Sequence, residues 1–143
     1  MLYSELINKA IDIAYSAHQG QRDKSGRPYF LHPVIVASQM SNEYETCTAL
    51  LHDVIEDTNI TLEELEKIFP SEITQAISIL THKDGVDYLD YIREIKRNPI
   101  ARKVKLADLN HNMDITRLDN PEQLEAFKKR MKKYELAQQI LTE

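Results

Sequence analysis

The sequence has 143 residues, 42% of them hydrophobic, a formal net charge of −5 and one cysteine. That length suits one domain with a proper core, and the hydrophobic fraction excludes wholesale disorder. The negative charge argues against broad nucleic-acid binding, and no apolar run approaches the roughly 20 residues that cross a bilayer. A single Cys47 excludes an internal disulfide, and residues 1–5 do not resemble a secretion signal. We therefore expect a cytoplasmic protein with no membrane segment.

Apolar residues recur at helical spacing along most of the chain, and no sustained alternating pattern predicts a strand. The capping and turn residues divide this pattern into helices. The first predicted helix ends near Gly20, the second follows His32-Pro33, and the third carries residues 50–58. The fourth runs from Thr61 to before Pro70, and the fifth covers 73–80. The last three begin near Tyr88, at Asn98 and at Asn120. The sequence predicts one compact all-α domain over residues 1–143, with about eight helices.

The stretch 50–58 carries the most unusual polar pattern. On one continuous helix its apolar residues share one half of the surface, and His52, Asp53, Glu56 and Asp57 share the other. Three carboxylates and an imidazole then crowd one face without a lysine or arginine. Such a face is either solvated or neutralised by a divalent cation, for which histidine and aspartate are suitable ligands. Spacing alone leaves both interpretations open.

Two more polar residues stand where a packed helix does not need them. His32 lies among apolar residues and a proline, where a hydrogen-bonded core histidine is the ordinary interpretation and a ligand the alternative. Asp108 follows Val104 by one turn and interrupts the apolar side of its helix. A buried carboxylate is costly unless it is paired or bound to a metal. Either an ion pair with Arg102 or Lys105, or a cation, would account for it.

Three separated motifs together resemble a known family. They are Pro-Tyr-Phe-Leu-His-Pro at 28–33, His-Asp-Val-Ile-Glu-Asp-Thr at 52–58, and Lys-Leu-Ala-Asp at 105–108 followed by His-Asn at 111–112. In this order they resemble the HD-domain hydrolases of the RelA/SpoT type. The resemblance implies metal-dependent hydrolysis of (p)ppGpp at the 3′-diphosphate, which gives GDP or GTP and pyrophosphate. The length resembles that of small hydrolase-only members.

The resemblance also implies a role for individual residues. The implied roles are metal ligands for His32, His52, Asp53 and Asp108, catalysis for Glu56 and Asp57, and substrate binding for Arg22, Lys24 and Asn112, with Arg27 as a further loop cation. The implied cofactor is one Mn²⁺ per chain, and two histidines with two aspartates are compatible with manganese without being exclusive to it. The implied partner is a small nucleotide substrate rather than nucleic acid.

The chain departs from the family pattern beside the third motif. Leu109-Asn110 stands where many members have arginine and leucine, and Ile115 stands where many have threonine or aspartate. These positions bear on base and ribose contacts, so two other interpretations stay open. One is an HD phosphohydrolase acting on another phosphorylated nucleotide or cofactor, and the other is a non-catalytic nucleotide-sensing module. An intact pair of Glu56 and Asp57 argues against a pure sensor.

Overall fold

A computed structural model describes all 143 residues and contains helices without any strand. The nine α-helices are α1 (Glu5–Ala17), α2 (Leu31–Ser38), α3 (Glu43–Leu51), α4 (Val54–Asp57), α5 (Leu62–Glu66), α6 (Ser71–Leu80), α7 (Tyr88–Lys96), α8 (Pro99–Asn112) and α9 (Leu124–Thr142). Two 3₁₀ turns, Ile115–Arg117 and Pro121–Gln123, join α8 to α9. The predicted all-α fold is confirmed, and α4 and α5 are each hardly more than one turn long.

Local side-chain caps begin most of the longer helices. Ser4, Asn42, Asp87 and Asn98 each accept a hydrogen bond from a backbone N–H in the first turn of the helix that follows. Thr61 does the same for α5, as its spacing to Glu64 predicts. Each cap satisfies one N–H that has no partner within the helix. These helix starts are therefore readable from the sequence.

Helix α3 is the centre of the bundle. All residues from Thr46 to Leu51 are buried, and α3 packs against α1, α2, α6 and α8. Six consecutive buried residues cover every side of a helix, so this part of α3 lies inside the bundle rather than on its surface. Helices α2 and α8 also pack against each other, so these two and α3 meet in one place. None of the helices combines the length and apolar character that crossing a bilayer requires.

The sequence predicts a continuous helix over residues 50–58. This prediction is wrong at one point. Helix α3 ends at Leu51, His52 and Asp53 form a turn, and α4 begins at Val54. The carbonyl of Ala49 accepts a hydrogen bond from Nδ1 of His52 at 2.6 Å and lies 3.5 Å from the His52 backbone N–H. That carbonyl is consequently not used by the N–H of Asp53, which would be its partner in an α-helix. The break turns His52 and Asp53 toward α2 and α8.

A candidate metal centre beside a basic cleft

Three parts of the fold bring together the four side chains that the sequence predicts to be metal ligands. His32 comes from α2, His52 and Asp53 from the turn after α3, and Asp108 from α8. One ligand atom from each of His32, His52 and Asp53 falls within a group whose atoms are all within 4.8 Å of one another. Oδ1 of Asp108 lies 2.7 Å from Nε2 of His32 and 3.4 Å from Nε2 of His52. The four residues separated in sequence thus form one cluster.

The orientation of His52 leaves one of its nitrogens without a protein partner. Its Nδ1 donates to the carbonyl of Ala49, so the lone pair of the neutral ring is on Nε2. Nε2 is buried and has no hydrogen-bond partner, although Oδ2 of Asp53 is 3.1 Å away. A buried polar atom without a partner requires an explanation. Two imidazole and two carboxylate donors around this atom fit a divalent cation.

Charge within the cluster strongly perturbs its acid–base behaviour. Burial by itself lowers the pKa of His52, but the negative charges of Asp53 and Asp108 outweigh it and hold that pKa well above its usual 6.5. Burial likewise opposes ionisation of Asp53, yet the neighbouring His52 lowers its pKa to about 2. The negative charges of Asp53 and Asp108 therefore favour a positive charge between these donors.

Asp108 also has a cationic neighbour on its own helix. Nζ of Lys105 lies 2.9 Å from Oδ2 of Asp108, and Nδ2 of Asn112 donates to Oδ1 at 3.2 Å. Although burial opposes it, the charge of Lys105 holds the pKa of Asp108 well below its usual range. One oxygen of Asp108 thus forms the ion pair with Lys105 that the sequence suggested, and the other lies next to His32 and His52.

His32 is held at both ring nitrogens. Its Nε2 lies 2.7 Å from Oδ1 of Asp108, and its Nδ1 lies 2.7 Å from Nδ1 of His111. The planes of the His32 and His111 rings differ by only 15° and their centroids are 4.9 Å apart, so the two rings meet edge to edge at their Nδ1 atoms. Loss of solvation, followed by the charge of Arg117, lowers the pKa of His111 to about 4. His111 belongs to the quoted motif, but the sequence did not indicate this contact.

Glu56 and Asp57 lie on α4, just beyond the His52–Asp53 turn. Oε1 of Glu56 accepts a hydrogen bond from the backbone N–H of His82 at 2.7 Å. The backbone carbonyl of Asp57 accepts from the side chain of Gln21 at 2.9 Å. Partial loss of solvation and the charges of Asp53 and Glu56 raise the pKa of Asp57 to about 6. A carboxylate with such a pKa is ionised at neutral pH and accepts a proton readily.

A cleft of about 320 Å³ opens beside the cluster. It is bounded by the loop 21–28, the end of α8, the 3₁₀ segment and α9, and its lining contains four basic side chains against two acidic ones: Arg22, Lys24, Arg117 and Arg130, with Asp23 and Asp114. Oγ of Ser25 donates to the carbonyl of Arg117 at 2.7 Å, which ties the loop to the 3₁₀ segment. On a chain with a net charge of −5, this cleft has a local excess of basic side chains, which favours an anion over a cation.

The three residues predicted to bind substrate all line this cleft: Arg22, Lys24 and Asn112. Arg27 does not; it forms an ion pair of 2.8 Å with Asp119. The sequence missed Arg117 and Arg130, which follow the last motif and have no local pattern that distinguishes them from solvated cations.

Tyr29 joins the cleft to the cluster. Its hydroxyl donates to Oδ2 of Asp53 at 2.5 Å, and its ring lines the cleft. The ring centroid is 5.1 Å from that of the buried His18. Tyr29 stands three residues before His32, in the turn that precedes α2, and this position is a usable signal only once His32 is known to belong to a site. A ligand in the cleft is thereby one side chain away from Asp53.

A family model and similar curated proteins point to the same family. A family model described as an HD domain matches residues 10–134. The chain is 34% identical over 122 residues to the bifunctional (p)ppGpp synthase/hydrolase SpoT of Escherichia coli K12, covering 75% of this chain and 17% of that protein. It is 38% identical over 128 residues to a guanosine-3′,5′-bis(diphosphate) 3′-pyrophosphohydrolase of Borreliella burgdorferi, covering 75% and 18%. The chain therefore spans less than a fifth of the length of these relatives.

The fold is also similar to a solved structure. That protein is described as a metazoan ortholog of SpoT that hydrolyzes ppGpp and plays a role in starvation responses. The TM-score is 0.71 at 22% sequence identity, and the match covers 99% of this chain and 85% of the other. At that identity the likeness confirms the all-α architecture of the whole chain.

Proposed function

Since this chain belongs to the HD-domain family, we propose that it is a metal-dependent hydrolase of (p)ppGpp that removes the 3′-diphosphate as pyrophosphate and leaves GDP or GTP. Residues 1–143 act as a single phosphohydrolase domain in this proposal. Sequence relatives whose names state this activity support it. The single cysteine also favours a protein of the reducing cytoplasm.

The observation that carries the proposal is the junction between the donor cluster and the basic cleft. Asn112 lines the cleft and donates to Oδ1 of Asp108, while Tyr29 lines it and donates to Oδ2 of Asp53. A polyphosphate held by the cations of the cleft therefore lies next to the cluster. Phosphate binding and a metal centre in contact are what hydrolysis of a phosphoanhydride or phosphate ester requires.

His32, His52, Asp53 and Asp108 would hold one divalent cation, for which we propose Mn²⁺. The unpartnered Nε2 of His52 supports this ligand set, as does the mixture of imidazole and carboxylate donors. When bound, the cation supplies a Lewis acid that lowers the pKa of water and stabilises charge on phosphate oxygens. Lys105 and Asn112 orient the carboxylate of Asp108.

The chain's own residues then divide the remaining work. Arg22 and Lys24 bind the phosphates, and Asn112 positions the nucleotide at the cluster. Asp57 accepts the proton of the attacking water, because its raised pKa matches that task near neutrality. Glu56, whose Oε1 is fixed by the backbone N–H of His82, orients that water. The bond between phosphorus and the ribose 3′ oxygen breaks, and the 3′ oxygen takes up a proton.

Phosphorus NMR of ppGpp incubated with the manganese-loaded protein tests this function directly. Pyrophosphate and GDP should appear together as the first products, and no ppGpp should form from ATP and GDP. A parallel panel of other phosphorylated nucleotides measures specificity, and a sample pretreated with chelator serves as the control.

Two results would point to other functions. Orthophosphate as the first product, or faster turnover of another nucleotide, would indicate an HD phosphohydrolase with a different substrate. Tight ppGpp binding without any turnover in manganese would indicate a sensing module.

A further inference from the structure

We propose that His111 is a positioning residue that accepts a hydrogen bond from Nδ1 of His32 and thereby presents the Nε2 lone pair of His32 to the metal. The inference rests on the metal site proposed above and adds to it a residue outside the ligand set. It does not depend on which nucleotide the protein hydrolyses.

Two ring nitrogens, one of His32 and one of His111, face each other. Nδ1 of His32 and Nδ1 of His111 are 2.7 Å apart, which is a hydrogen bond that needs one proton between two nitrogens. A neutral histidine carries its proton on one nitrogen and a lone pair on the other. If Nε2 of His32 binds a cation, its Nδ1 must carry the proton. His111 must then accept with Nδ1 and carry its own proton on Nε2.

The arrangement of the rings makes His111 a support for the whole imidazole of His32. The ring planes differ by only 15° and the centroids are 4.9 Å apart, so the two rings lie almost in one plane and meet at their Nδ1 edges. Asp108, three residues before His111 on α8, lies 2.7 Å from the opposite nitrogen of His32. One turn of α8 thus contacts both ends of the His32 ring. An outer partner of this kind fixes the tautomer and direction of a metal-binding histidine.

The end of α8 is itself held in place. NH1 of Arg117 donates to the carbonyl of His111 at 3.0 Å and to Oδ1 of Asn112 at 3.1 Å. His111 is outside the group of donor atoms formed by His32, His52 and Asp53. Its Nδ1 faces the nitrogen of His32 that is remote from Asp108. His111 therefore acts through His32 rather than as a ligand.

Two substitutions separate the hydrogen bond from the ring packing. His111→Phe keeps an aromatic ring at this position and removes the acceptor, whereas His111→Asn removes the ring and places Oδ1 close to the position of Nδ1. The dissociation constant for Mn²⁺ is measured by titration of each metal-free protein. We expect His111→Phe to weaken binding about 10- to 100-fold, the usual effect of losing an outer partner, and His111→Asn to retain most of the affinity.

His82→Phe is the matched control. His82 also lies against an aromatic ring, that of Tyr91 with centroids 4.5 Å apart, but its Nε2 donates to the backbone carbonyl of Val86 and not to a cluster residue. It should bind Mn²⁺ as the unchanged protein does. If His111→Phe does not fold, His111→Ala removes the same hydrogen-bond acceptor at this half-buried position and adds no volume.

Unchanged manganese affinity in His111→Phe, or in His111→Ala where that variant replaces it, would overturn the proposal, and so would an equally large loss in His111→Asn. The titration detects this even if ppGpp is not the substrate, so failure of the proposed function gives a different result from failure of this inference.

Discussion

The donor cluster, formed by His32, His52, Asp53 and Asp108, lies beside the basic cleft but is built from a different part of the fold. The cluster takes its side chains from α2, α8 and the turn after α3, which pack on one another, and His32, His52 and Asp108 are buried. The cleft takes its cations from a loop, a 3₁₀ segment and one helix at the surface, with Arg22 and Lys24 exposed. The two tasks proposed for these regions, bond cleavage and substrate attraction, should therefore be separable, since one depends on core packing and the other on screened charge.

The largest effect should follow from removing a ligand. His52→Ala should abolish stoichiometric manganese and reduce turnover more than about 100-fold, because it removes a donor rather than an outer partner. Elemental analysis and a ppGpp turnover assay measure the two effects. Arg97→Ala, a change at an exposed ion pair on the surface, is the control and should alter neither.

At Asp108, substitution by asparagine is a better test than substitution by alanine. Asp108→Ala would leave Lys105 without its partner and cost about 3–5 kcal/mol, so metal loss and unfolding would be confused. Asp108→Asn keeps the shape and should still lose bound metal and turnover. A variant that keeps full metal content at either position would remove that residue from the ligand set.

The next largest effect should come from removing a carboxylate proposed to be catalytic while the metal stays bound. Glu56→Gln should keep manganese and lower kcat about 10²- to 10⁴-fold, since it retains the contact with the His82 N–H and removes the charge. Asp57→Asn should behave likewise. Near-normal turnover of Glu56→Gln with full metal content would show that the role proposed for Glu56 is wrong.

A moderate effect is expected on thermal stability. At about 100 times its dissociation constant a bound metal adds about 2.7 kcal/mol, which raises Tm by several degrees for a chain of this size. Chelation should reverse the shift, and calorimetry measures it. The same measurement on Lys24→Ala should give the full shift, because Lys24 is outside the cluster.

The size of this shift should depend on pH. His52 has its pKa raised in the folded metal-free protein, so its protonation stabilises that state fully below about pH 6.5 and less as pH rises through the raised pKa. The metal binds only the unprotonated ring of His52, so its affinity rises over the same pH range. The Tm difference between loaded and metal-free protein should therefore widen above pH 6.5; a difference that narrows would contradict the ligand role of His52.

The smallest effect belongs to the cleft. Arg22→Ala and Lys24→Ala should each raise KM several-fold at low salt, about 1 kcal/mol, and change kcat little. The difference from the unchanged protein should shrink as salt is added. Lys128→Ala, an exposed cation of α9 outside the cleft lining, should leave KM near its original value. Loss of metal in Lys24→Ala would mean that the two regions are not separable.

Most local features were readable from the sequence. The caps at Thr61 and Asn98 depend on side chains that bond to backbone groups three residues away, and both predictions are confirmed. The all-α class follows from apolar spacing, which a short stretch of chain is enough to show. The break at His52 was missed because the competing hydrogen bond, from Nδ1 to the carbonyl of Ala49, interrupts a pattern that is otherwise helical.

What the sequence determined by itself was the list of candidate residues and the helices that carry them, since both follow from residue type and short-range spacing. Only the tertiary structure decided which candidates meet. Asp108 reaches His32 across 76 positions because α8 packs on α2, and His111 reaches the other side of the same ring across 79. Arg117 and Arg130 join the cleft through the course of the chain after α8. Such contacts depend on how helices pack, and no local pattern encodes that packing.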